Sequence, residues 1–125
     1  MKHRVYGNQL HRDTNAAKGL YRGLLVAILE KGKIQTTLAR AKAVQGDLDK
    51  LINLAKEGTV NARRLTVKNL GTDKFFNKYT KSFTNRNSGY SRIARLGQRL
   101  ADTAEMVILE MVDYVEPKKI EKHDN

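Results

Sequence analysis

Apolar residues recur at helical spacing through the first two-thirds of the chain and at strand spacing near its end. Over residues 9–31, Ala16, Leu20, Leu24, Ala27 and Ile28 share one face, and Leu24–Leu29 (LLVAIL) is apolar almost all round. That spacing predicts a helix whose second half is buried. Arg12, Lys18 and Arg22 leave its first half wet or docked, and Gly32 stops it. The short segment KIQTT follows, with a strand expected at 33–35 and Thr36 and Thr37 both suited to cap the next helix. A second helix over 37–57 carries the clearest stripe, Ala41, Val44, Leu48, Leu51 and Ala55 with Ile52 beside it, and Gly58 ends it. A third, over 59–69, carries Arg63 and Arg64 and closes at Gly71. A fourth, over 72–81, presents Phe75, Phe76 and Tyr79, with Phe83 just after. Aromatic residues at this spacing read as core.

The period then changes to two. Residues 92–100 and 105–113 read as strands joined by a turn around Ala101–Ala104. With the turn centred between Asp102 and Thr103, Leu96 faces Leu109, Ala94 faces Met111, Arg95 faces Glu110 and Arg99 faces Met106. One face then collects Ala94, Leu96, Leu100, Val107, Leu109 and Met111, and the other is charged, as a one-sided antiparallel pair requires. The fold class expected is α+β: a two-layer α/β arrangement of order α-β-α-α-α-β-β, with the C-terminal strand pair packed on helices. Residues 1–115 form one domain with a basic arm at 1–8. Residues 116–125, around the single proline Pro117, form a charged tail expected to be disordered.

Charge sharpens the picture. The 125 residues carry a net charge of +11. Residues 1–71 hold 14 basic and 5 acidic side chains, residues 72–100 hold 7 and 1, and residues 101–125 hold 3 and 7. The positive excess therefore stops near residue 100. Such an excess increases self-repulsion in the compact state and points to an anionic partner, nucleic acid first and a membrane surface second. There is no cysteine, which excludes disulfides and thiolate metal sites and suits a reducing cytoplasm. The polar, basic start MKHRVYGNQL does not read as a signal peptide, and no segment is long enough to span a membrane.

Candidate catalytic chemistry is sparse. His3, His11 and His123 have no metal-spaced partners, Ser82, Ser88 and Ser91 sit in no nucleophile elbow, and Asp102, Glu105 and Glu110 lie beside arginines. No phosphate loop or dinucleotide fingerprint occurs. The expectation is a protein that is not an enzyme and takes no cofactor, metal or small-molecule substrate. The stretch RNSGYSRI at 86–93 is more informative. Arg86 and Arg92 can each offer a planar fork of donors to phosphate, Gly89 allows a turn with positive φ, and Tyr90 offers a ring and a hydroxyl. Two readings stand: a turn presenting two cations and a flat ring to nucleic acid, or a loop whose tyrosine packs on the core while its arginines are solvated.

Several short motifs occur together and in order. They are Met1-Lys2-His3-Arg4, Leu10 with Arg12, Lys33–Thr37 followed by Ala41-Lys42-Ala43, Asn61-Ala62-Arg63-Arg64, Arg86–Ile93, and Ala101-Asp102 with Glu110. In this order and spacing they resemble the bacterial large-subunit ribosomal protein of family seventeen, from residue 1 to about residue 113. The chain departs from that pattern at Ala16-Ala17 (usually His-Arg), Gly23 (Asn), Asn61 (His), Ser88 (Gly) and Ala101 (Gly). The resemblance implies the α/β order given above and a place on the large ribosomal subunit near the mouth of the peptide exit tunnel.

The function expected is therefore structural: binding and clamping ribosomal RNA, beside neighbouring large-subunit proteins, in the cytoplasm. The residues expected to face RNA are Lys2, His3 and Arg4 in the arm, Arg12, Lys18 and Arg22 on the first helix, and Lys33 and Thr36 at the junction. Arg63 and Arg64 on the third helix and Arg86, Tyr90, Arg92 and Arg95 around the loop complete the set. The alternative is a free basic architectural protein that binds nucleic acid, although neither a helix-turn-helix nor a heptad seam is legible. No membrane partner is expected.

Overall fold

A computed structural model describes residues 3, 7–76, 79, 83 and 85–114. Its elements are α1 (Thr14–Lys31), β1 (Lys33–Thr37), α2 (Leu38–Glu57), α3 (Val60–Leu70), β2 (Ser91–Gln98) and β3 (Glu105–Met111). The molecule is mixed α/β, with three helices and a small antiparallel sheet ordered β1-β3-β2. The fourth helix expected over 72–81 falls in part outside the described residues. Phe76 and Tyr79 are helical, and the Tyr79 N–H donates to the Phe75 carbonyl at 3.2 Å. The tail at 116–125 and most of the basic arm lie outside the described residues as well.

Local chemistry sets the helix limits. α1 starts later than the apolar period suggests, because Leu10 and His11 adopt positive φ (52° and 56°) and Asp13 caps the helix, its carboxylate accepting from the Ala16 N–H at 3.0 Å. The buried positions of α1 are Ala17, Leu25, Ile28 and Leu29, so Ala16, expected inward, is exposed. α2 buries Ala41, Val44, Leu48, Leu51, Ile52 and Ala55, the whole stripe that its spacing specifies. α3 is capped by Thr59, whose hydroxyl accepts from the Ala62 N–H at 3.1 Å. Phe75, Phe76, Tyr79 and Phe83 are buried in the same cluster as α2, as the aromatic spacing predicts. The Tyr79 hydroxyl donates to the Leu29 carbonyl at 2.8 Å, and burial pushes its pKa well above the usual range.

The sheet corrects the expected hairpin register. β2 and β3 pair with Ser91 opposite Met111, Arg92 opposite Glu110, Ile93 opposite Leu109, Ala94 opposite Ile108 and Arg95 opposite Val107. A bulge at Leu96 then sets Gly97 opposite Met106. Relative to the expected pairing the core part is displaced by three residues. An odd displacement turns each β2 side chain to the other face. Leu96 and Leu100, expected inward, are 51% and 101% exposed, whereas Val107, Leu109 and Met111 are buried as expected, with Ile93 packed against them. Arg95 does not meet Glu110. The turn explains the displacement. The Thr103 N–H donates to the Arg99 carbonyl and the Arg99 N–H to the Ala104 carbonyl, both at 2.9 Å, with Thr103 at φ 57°. The Arg99 guanidinium grips Asp102 through Nε at 2.8 Å and Nη2 at 2.5 Å. That bond, with the Ala104 N–H, holds the Asp102 carboxyl down to about 2. β1 starts where expected and runs two residues longer, pairing from Lys33↔Glu110 to Thr37↔Met106.

Candidate nucleic-acid interface

The loop between the helices and the hairpin is built around Tyr90. Its ring is fully buried (0% exposed) and meets Phe83 edge-on at 5.2 Å. Its hydroxyl donates to Asn53 Oδ1 at 2.5 Å and lies 3.0 Å from the Arg86 carbonyl. The Lys56 ammonium donates to that hydroxyl at 3.1 Å, sits 5.4 Å from the ring centroid, and also bonds the Arg86 carbonyl. The Tyr90 N–H donates to Asp49 Oδ1 at 3.3 Å. Asp49, Asn53 and Lys56 are spaced four and three apart, so one face of α2 holds the loop at Tyr90 and the Arg86 carbonyl. Gly89 turns the chain with φ 69°, and a Cβ there meets nothing within 4 Å, so backbone conformation rather than space requires glycine.

Tyr90 is therefore corrected from a surface for RNA to an anchor of the core. Thr36 is corrected on the same ground. It is 6% exposed, its side chain on the inner sheet face opposite Val107, while Thr37 stands at the head of α2. Asp49, Asn53 and Lys56 escape a sequence reading that ranks cations and aromatic rings. Their signal is the i, i+4, i+7 spacing of polar groups at the edge of an apolar stripe.

The loop and strand arginines are all held by carboxylates. Arg86 Nε bonds Asp113 Oδ2 at 2.8 Å, Arg92 Nε bonds Glu110, Arg95 reaches Glu105 at 3.5 Å, and Arg99 holds Asp102. The pairs are nested, 86 with 113 and 99 with 102 as the outer and inner members, because the hairpin folds an acidic stretch back along a basic one. Arg92 and Lys33 lie on one sheet face on either side of Glu110, about 10 Å apart across two strand spacings. On the helices, Arg63 pairs with Asp73 at 2.5 Å, which holds the Asp73 carboxyl below its ordinary range. Arg22 donates to the Asn69 and Lys68 carbonyls at 3.2 and 3.5 Å and so caps the C-terminal end of α3. His3, Arg12, Lys18 and Arg64 are exposed. Arg12, Lys18 and Arg64 have no carboxylate partner among the described residues. Lys2 and Arg4 lie outside the described residues.

The expected cations thus separate into a set paired with carboxylates, Arg63, Arg86, Arg92 and Arg95, and a freer set that includes Arg12, Lys18 and Arg64. Among the described residues, no group of three or more His, Asp or Glu side chains could hold a metal ion, and no helix is long and apolar enough to cross a membrane. The model of the family "Ribosomal protein L17" matches residues 20–112. A relative named "Large ribosomal subunit protein bL17" from Thermodesulfovibrio yellowstonii is 40% identical over 123 residues, covering 95% of this chain and 92% of the relative. Relatives of the same name from Chloroflexus aggregans and Symbiobacterium thermophilum are both 41% identical. They cover 90% and 83% of this chain and 100% and 96% of their own lengths. A family match that runs from within α1 to the end of β3, with relatives covered over nearly their full length, places this chain in the ribosomal protein L17 family.

Proposed function

We propose that this protein is a structural constituent of the bacterial large ribosomal subunit, in the cytoplasm, where it holds ribosomal RNA near the peptide exit tunnel beside other large-subunit proteins. Membership of the L17 family carries this reading, and the charge supports it. The helices present cations to solvent, the arm is basic in sequence, and an RNA backbone is the anion such charge suits. Clamping is electrostatic and by shape, with no covalent step. His3, Arg12, Lys18 and Arg64 contact phosphate directly, together with Lys2 and Arg4 from the arm. Arg63, Arg86, Arg92 and Arg95 contribute by exchanging a surface carboxylate for phosphate, which costs little because exposed pairs contribute only about 0–1 kcal/mol. Lys33, opposite Glu110 in the sheet register, contributes a direct contact. Arg22 keeps donors free after capping α3.

The test is sedimentation of the tagged protein from lysate through a gradient. The expected result is co-migration with large subunits, persisting at moderate salt. A protein found only in slow fractions, free or on short nucleic acid, would overturn the assignment in favour of a free architectural binder.

A further inference from the structure

We infer that the groove between α1 and α2 seats one RNA sugar–phosphate strand, with phosphates on Lys18, Arg22, Lys42, Lys50 and Lys68. This rests on the rRNA-binding reading above and adds the place where the backbone lies. Two adjoining clefts of about 410 and 550 Å³ share Lys18, Tyr21, Asp47 and Lys50. Together they run from the arm at Gly7–Gln9 to the end of α3 at Lys68 and Asn69. Five cations line them against a single carboxylate, Asp47. Asp47 lies 3.8 Å from Lys50 with both side chains about half exposed or more, a pairing too loose to cancel the field. Lys18, Lys42 and Lys68 have no carboxylate partner among the described residues.

Three further features suit a strand of backbone. Lys42, Gly46 and Lys50 follow each other at intervals of four along α2, so one row of the helix presents cation, gap, cation. Gly46 lies in mid-helix, exposed, and a Cβ there meets nothing within 4 Å. Glycine destabilises a helix interior relative to alanine, and packing gives no reason for it here. Close approach of a ligand backbone to the groove floor does. At the far end Arg22 covers the last carbonyls of α3, offsetting the negative helix terminus that would otherwise repel phosphate. Tyr21 lines both clefts, half-buried, its hydroxyl donating to the Asn8 carbonyl, and its ring forms a flat wall for a base or ribose.

The experiment compares Lys42→Gln/Lys50→Gln with Lys31→Gln/Lys74→Gln. Each double variant removes two exposed charges, but the second pair lies outside the groove. Affinity for a large-subunit rRNA transcript is measured across salt, with thermal melts alongside. The groove variant is expected to bind at least tenfold more weakly and to lower the salt slope by about 1.5, the loss of two phosphate contacts. The control is expected to lose threefold at most. Gly46→Leu, which keeps every charge and favours helix, is expected to weaken binding without lowering the melting temperature. Equal losses in the two double variants would overturn the groove while leaving general electrostatic binding intact, and unchanged affinity in Gly46→Leu would overturn the close approach. A wild-type protein that fails to bind the transcript would overturn the rRNA reading itself.

Discussion

At the scale of single residues, the same side chain type serves opposite ends. Tyr90 is an aromatic ring between two arginines, and its neighbours decide its role. Phe83 and α2 close around it, and Asn53, Lys56 and the Arg86 carbonyl satisfy its hydroxyl. Tyr90→Phe should keep the ring packing but leave the Asn53 oxygen and the Lys56 ammonium short of a partner. A loss of about 1 to 2 kcal/mol in denaturant unfolding is expected, with the RNA affinity of the folded variant unchanged. Lost affinity without lost stability would mean that the ring leaves the core on binding. The arginines on either side behave differently because their partners, Asp113 and Glu110, lie at the surface. Of the two readings of RNSGYSRI that the sequence leaves open, packing holds for the tyrosine, and RNA contact stays a proposal for the arginines alone. Nothing in the octapeptide itself separates these roles, because the deciding groups lie on α2, some forty residues earlier.

At the scale of elements, legibility follows how each period is fixed. The α2 stripe is read residue for residue, because a helix has one phase and its apolar positions set it. The start of α1 is misread because Asp13 caps more strongly than the weak apolar residues before it extend the period. The β3 face is read correctly from Val107, Leu109 and Met111, but β2 is not. Its phase depends on a four-residue turn gripped by Arg99 and Asp102 and on the extra residue at Leu96, neither of which alternation encodes. Gly97, at φ 101° inside the strand, is the local mark of that bulge. The pairing has a direct check. A double-mutant cycle on Arg92 and Glu110 should give a coupling of up to about 1 kcal/mol, as for a partly exposed cross-strand pair. The same cycle on Arg95 and Glu110 should give none. Coupling confined to Arg95 would restore the displaced register and contradict the bulge.

At the scale of the whole molecule, the uneven charge of the sequence acquires a spatial meaning. The acidic segment beyond residue 100 folds back on the basic one before it, and Asp102, Glu105, Glu110 and Asp113 take up Arg99, Arg95, Arg92 and Arg86 in turn. The hairpin is thereby close to neutral, and among the described residues most of the cations without a carboxylate partner lie on the helices. This division bears on how strongly binding depends on salt. If only the arm and helix cations meet phosphate, those of the groove included, about ten contacts form. The logarithm of affinity for an rRNA fragment should then fall against the logarithm of salt with a slope of roughly −7 to −9, at about 0.7 to 0.9 per phosphate. If the hairpin arginines exchange their carboxylates for phosphate as well, about four more contacts raise the slope to roughly −10 to −13. Replacing Glu105 and Glu110 with glutamine separates the cases. With the arginines already on RNA, the double replacement removes repulsive carboxylates and raises affinity without steepening the slope. With the arginines held by their carboxylates, it releases Arg92 and Arg95 and steepens the slope by about 1.5. Titrations of both proteins over the same salt range give the answer, and a response to salt that is flat in both would mean that phosphate neutralisation does not drive this protein's association with RNA.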